Sequence, residues 1–218
     1  MARFGTLLAG LALLVSGAAM AVVPAQDTHE TVEQELSKPL IRGGIVFKSY
    51  CVLCHGDRGD GVARASRLHV GVNLTIRPRS EEYYENIIRN GGEAVGASPG
   101  MPPWRGELSD GQVADVIVYL KVVNDPVRRG EVVFKINCVL CHGVRGDGKG
   151  RAARLYDPRP ADLTRSNKAD KYKEAIIRFG GGELRRSRAM PTWNDRLSNA
   201  EIEDLIVYLR SIVVTGRR

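Results

Sequence analysis

Cysteine is scarce in this chain, and its placement leaves none to spare. All four cysteines fall in two five-residue copies, Cys51-Val52-Leu53-Cys54-His55 and Cys138-Val139-Leu140-Cys141-His142, so no thiol remains for a separate structural disulfide. Beyond Val23 no apolar run approaches the roughly 20 residues that a membrane-spanning helix needs. A net charge of +7 comes with no nucleic-acid-binding motif, so nucleic acid is not an expected partner. The loops Gly59-Asp60-Gly61 and Gly146-Asp147-Gly148 lack the lysine-serine sequel of a phosphate cradle. Methionine is rarer still in effect. Of four, Met1 and Met20 lie in an apparent export segment, leaving Met101 and Met190, one behind each cysteine motif.

Two cysteines three apart with histidine directly after the second form the attachment pattern of c-type haem. Both thiols bond the porphyrin, and the imidazole ligates its iron. On one helical turn, positions i and i+3 share a face while the next residue turns towards the metal. Two other chemistries use paired cysteines. A redox disulfide wants a strand-helix-strand context that the flanks do not supply. A four-cysteine zinc site sets its pairs about 15–20 residues apart, whereas these lie 138 − 51 = 87 residues apart. Neither explains the paired histidines.

The sixth ligand is expected from methionine. Met101-Pro102-Pro103-Trp104 and Met190-Pro191-Thr192-Trp193 share a following proline and a tryptophan three residues on. A lone methionine is usually core filler, but a matched pair behind matched motifs reads as two ligands. A thioether opposite imidazole fills the coordination sphere and raises the reduction potential. Proline stiffens the backbone that holds this weak bond. His55 and Met101 are thus the expected metal ligands of one haem, and His142 and Met190 those of the other.

The order Gly43, Phe47, Cys-x-x-Cys-His, Met-Pro, then a helix ending Val118-Tyr119-Leu120-Lys121 resembles a class I cytochrome c. It recurs from Gly130 and Phe134 to Val207-Tyr208-Leu209-Arg210. The whole is similar to diheme electron carriers of bacterial periplasms and to haem-binding subunits of bacterial oxidases and dehydrogenases. The resemblance implies an all-α fold of two tandem cytochrome c domains, each wrapped around one covalently attached haem c, with single-electron transfer as the task. It also implies that each helical glycine lets the first and last helices of its domain approach closely. The family often places a proline in the loop after the motif, and its carbonyl takes the second N–H of the histidine. Arg64 and Arg151 stand there instead, so the orienting carbonyl is unnamed. These arginines, with Arg67 and Arg154, are candidates for propionate contacts or simple surface charges.

Organisation follows from the repeat. Residues 1–21 read as a secretory signal, with a basic Arg3, an apolar centre and Ala19-Met20-Ala21 as cleavage site; Ala25 offers a second site, and an uncleaved anchor is the alternative. Residues 22–37 form an acidic lead, expected as a short exposed helix or a disordered stretch needing no function, 38–123 the first domain, 124–127 a linker and 128–218 the second domain. Each domain is small for a purely hydrophobic core, and a buried haem would complete it. Ser109-Asp110-Gly111-Gln112 and Ser198-Asn199-Ala200-Glu201 are capping boxes. They precede the helical stripes Val113, Val116, Ile117, Leu120 and Ile202, Leu205, Ile206, Leu209. Tyr119 and Tyr208 read as core. Further helices are expected over Leu40 to Tyr50, Glu81 to Arg89 and roughly Lys171 to Arg178, the last two stopped by glycines. The repeat offset grows from 87 at the cysteines to 89 at the methionines, placing two extra residues at Tyr156 to Asp162 against His69 to Asn73.

Residues 38–125 carry 11 basic against 10 acidic side chains, and residues 126–218 carry 20 against 11. Arg185, Arg186 and Arg188 precede Met190, where the first copy reads Val95 to Gly100. A redox partner with an acidic surface is therefore expected on the second domain. Trp104 and Trp193 are expected to pack on the porphyrin with the indole N–H satisfied. His29 and His69 do not recur and read as solvated. The expectation is a periplasmic, exported one-electron carrier rather than an enzyme, soluble or membrane-associated. The alternatives are a cytochrome subunit of a larger respiratory oxidase or dehydrogenase complex, and a diheme peroxidase.

Overall fold

The computed structural model describes residues 31–62 and 71–214. Among them every regular element is helical. The signal segment, His29, Arg64, Arg67 and His69 lie outside the described residues. Helices α1 (Val32–Leu36), α2 (Pro39–Val46), α3 (Val52–His55), α4 (Glu81–Asn90) and α5 (Asp110–Leu120) lead to the linker. Helices α6 (Pro126–Asn137), α7 (Val139–His142), α8 (Asp170–Glu183) and α9 (Asn199–Ser211) repeat the plan. The expected opening helix is present but not uniform. It starts with Pro39 at its first turn, where a missing N–H costs nothing, and winds into a π-helical stretch over Phe47–Cys51 before the first motif. In the second copy α6 stays α-helical to Asn137.

Each domain is closed by a crossing of its first and last long helices. A Cβ on Gly43 would sit 2.0 Å from the Asp115 carbonyl oxygen, and one on Gly130 2.0 Å from that of Asp204. Only glycine permits this approach, as the resemblance implied. Beside each crossing an aromatic pair packs at matching geometry, Phe47 on Tyr119 at 5.1 Å and Phe134 on Tyr208 at 5.3 Å. Burial pushes both tyrosine hydroxyls above the ordinary phenol range, as core residues should show. Both predicted capping boxes form. Ser109 accepts from Gln112 N–H and Ser198 from Glu201 N–H, each with the reciprocal side-chain bond. The stripe residues of α5 and α9 are buried below them.

A second device holds each crossing. Arg42 grips Asp115 through Nε and Nη2 at 2.6 and 2.7 Å, and Arg129 grips Asp204 through the same atoms at 2.7 and 2.9 Å. The first arginine side chain is 46% exposed, the second only 9%.

The acidic lead forms a short helix, one of the two forms expected, but it is not exposed throughout. Thr31 caps α1 through a full capping box, and Glu35, 1% exposed, lies 3.0 Å from the Nζ of buried Lys135. Val32 packs against the core of the second domain and Leu36 against that of the first. A polar composition hid two apolar contacts and a buried ion pair. The chain entering the short linker is likewise packed. Val123 is 1% exposed and its carbonyl accepts from Arg129 Nη1, while Asp125 caps α6.

Candidate haem-binding sites

In each domain the first long helix delivers the motif on its last turn. Cys51, Cys54 and His55 follow from α2, and Cys138, Cys141 and His142 from α6. All four thiols are free and half-buried. Burial, with a smaller contribution from the neighbouring thiol, pushes Cys51 and Cys138 up to about 12. Among the described residues no three His, Cys, Asp or Glu side chains gather as a metal site, so the four-cysteine zinc alternative has no geometry behind it.

The imidazoles are oriented identically. His55 Nδ1 lies 3.1 Å from the Val72 carbonyl oxygen, and His142 Nδ1 lies 3.2 Å from that of Ala161. A carbonyl can only accept, so Nδ1 carries the proton and donates. That fixes the tautomer in which Nε2 keeps its lone pair for a metal. Burial holds both imidazoles below the ordinary histidine range, and the carbonyl contact opposes that shift in part. These are the carbonyls that take the role of the missing proline. Sequence reading could not name them, because a backbone oxygen leaves no side-chain signature. The repeat drift agrees with their positions: matched Gly61 and Gly148 are 87 apart, whereas Val72 and Ala161 are 89 apart. The two extra residues therefore fall between these points, a span that overlaps the expected segment.

The methionine loops are built by the glycines that end α4 and interrupt α8. Gly91 and Gly180 take φ values of 83° and 76°, a region closed to most side chains. A Cβ on either would also come within 3.1 Å of the Met101 or Met190 carbonyl oxygen. The next glycine N–H then donates to that same carbonyl, Gly92 to Met101 at 2.9 Å and Gly181 to Met190 at 3.0 Å. Downstream, Trp104 N–H donates to Ile88 and Trp193 N–H to Ile177, at 2.9 and 3.0 Å. Each methionine is thus clamped on both sides by backbone bonds, and both side chains are half-buried. Cys51, Met101 and Trp104 pack against the first core, and Cys138 and Trp193 against the second. Trp104 also stands edge-on to Tyr50 at 5.5 Å.

This donor set fits a haem in each domain: paired thiols on one turn, an imidazole with Nε2 held open, and a thioether on a stiff loop. Arg151, one candidate for propionate contact, is instead engaged by Glu33 of the lead at 2.7 Å.

Comparison with known proteins agrees. The family described as cytochrome c oxidase, cbb3-type, subunit III matches twice, over residues 39–120 and 125–209. The chain is 25% identical over 226 residues to the cbb3-type cytochrome c oxidase subunit FixP of Sinorhizobium medicae, covering 93% of this chain and 73% of that one. It is 27% identical to the cytochrome bc1 complex cytochrome c subunit of Mycobacterium leprae, covering 93% and 72%. Two helical domains, each presenting the same haem-ready donors and each matched separately, make this chain a member of the cbb3-type cytochrome c oxidase subunit III family, with two covalently bound c-type haems.

Proposed function

We propose that this chain is the electron-relaying cytochrome subunit of a membrane respiratory complex. Cys51 and Cys54 attach one haem and Cys138 and Cys141 the other; His55 with Met101, and His142 with Met190, are the axial ligands. The observation that carries the reading is the duplicated carbonyl contact on Nδ1, which leaves one nitrogen free to ligate in both domains. Each bound haem supplies a single-electron couple. A histidine and a methionine on each iron would leave no coordination place for substrate, which favours relay over peroxidase chemistry.

The sequence favoured a free periplasmic carrier. Relatives named as oxidase and bc1 subunits support the complex instead. Among the described residues no helix is long and apolar enough to cross a membrane. Attachment would then come from partner subunits or from the N-terminal segment, and export follows from the signal-like residues 1–25. A tagged chain recovered from native membranes together with an oxidase or bc1-type complex supports the subunit reading; a haem protein found alone in the periplasm overturns it. Optical and magnetic spectra should count two haems, both histidine-methionine ligated. Ready cyanide uptake by the resting protein would contradict the ligand assignment.

The exposed Arg185, Arg186 and Arg188, next to Met190, make the second domain the side for an acidic redox partner. Charge reversal at these three should lower the transfer rate and flatten its salt dependence. Unchanged kinetics would remove the docking assignment.

A further inference from the structure

Two domains joined by a short linker can move as independent units. Here the contacts between them are specific and are not products of the repeat. At the centre α2 and α6 approach so closely that a Cβ on Gly44 would lie 2.4 Å from Val132 Cγ1. Val132 is 5% exposed and belongs to the core of the first domain, although it comes from the second. At the rim Lys48 reaches across to Glu201 at 2.6 Å. Arg58 pairs with Glu203 and approaches Asp204 Oδ1 at 3.6 Å.

The acidic side of this seam exists only once. Glu201 and Glu203 of α9 correspond in α5 to Gln112 and Ala114, which carry no charge. The basic side is diverted in the other copy, where Lys135, the counterpart of Lys48, turns to Glu35 of the lead. Complementarity across the seam is therefore a separate feature added to a duplicated plan.

The seam also reaches both haem motifs. A cavity of about 30 Å³ at its centre is lined by Val52, inside the first motif, and by Asn137, directly before the second. Lys48, Arg129, Glu201 and Asp204 line it as well. Since α6 ends at the second motif and α2 continues through the π-helical stretch into the first, any slip of one helix on the other displaces both motifs together.

We propose that this seam is a positioning device for electron passage between the two haems. Gly44, Lys48 and Arg58 on one domain and Val132, Glu201 and Glu203 on the other hold the haem-bearing domains at one separation. With both haems bound, one electron would pass from the ferrous iron of one domain to the ferric iron of the other, with no bond made or broken. The assignment rests on the two-haem reading above.

The test uses the intact holoprotein, with pulsed magnetic resonance between one spin label per domain and the inter-haem rate after rapid photoreduction. The wild type should give one narrow distance. K48Q/R58Q removes only partly exposed side chains, and it should broaden that distance and slow inter-haem transfer several-fold. The optical spectrum and ligation of each haem should be unchanged, a combination that mere destabilisation would not produce. High salt should move the wild type the same way, since rim charges are screened. G44A should lengthen the distance, and V132A placed with it should restore the distance. A broad wild-type distance, or variants with unaltered distance and rate, would overturn the proposal. A missing haem band would instead count against the two-haem reading itself.

Discussion

The two arginine-aspartate pairs are the clearest comparison within this molecule. Arg42 with Asp115 and Arg129 with Asp204 occupy equivalent positions and make the same two-pronged contact. One arginine stands at the surface, and the other lies under the neighbouring domain. The duplicated plan built both pairs, but only the docking of the domains took the second from water. A buried pair is costly to desolvate and costlier to break, because the remaining partner is left charged without compensation. Breaking the second pair is thus the more damaging change, although the two contacts have the same geometry.

That contrast can be broken in order of severity. Cys138→Ala with Cys141→Ala should remove one haem and unsettle the second domain, and mass spectrometry with haem absorbance should then count a single porphyrin. The matching pair Cys51→Ala with Cys54→Ala should remove the other. Asp204→Asn should cost about 3–5 kcal/mol in denaturant unfolding of the holoprotein, because Arg129 stays buried. Asp115→Asn should cost distinctly less, since water can reach Arg42. Equal losses would mean that the seam does not exclude water. Gly43→Ala and Gly130→Ala should each cost about 1–3 kcal/mol or more from overpacking at the helix crossing. Gly130→Ala should also disturb the seam, because the helix it pushes carries Glu201 and Glu203. The smallest effect serves as a control. Ser109→Ala and Ser198→Ala should cost about 1 kcal/mol each, alike in both domains, because both caps are complete.

Much of the site was legible in advance. Cys-x-x-Cys-His, Met-Pro and the capping boxes are side-chain patterns whose chemistry depends on residues close in the chain. The carbonyls of Val72 and Ala161 were not legible, since every residue carries one and only the returning loop selects it. The arginine-aspartate pairs were legible in principle. Arg42 and Arg129 each stand nine residues before a motif, and Asp115 and Asp204 share the place after each capping box. Comparing the two copies for charge as well as for cysteine and methionine would have found them. The lead was misread because Glu33 and Glu35 look like a solvated run. Arg151, which meets Glu33, and Lys135, which meets Glu35, lie 118 and 100 residues away.

By itself the amino-acid order determined that there are two helical units, and it marked the thiols, imidazoles and thioethers that are candidates to hold each haem. Those outcomes follow from short-range geometry, namely helical spacing, capping and the reach of a loop. Tertiary structure alone decided how the units meet, which of two identical ion pairs is buried, and that an acidic lead bridges both domains. Burial and long-range pairing depend on what arrives from elsewhere in the chain, and no local pattern encodes that.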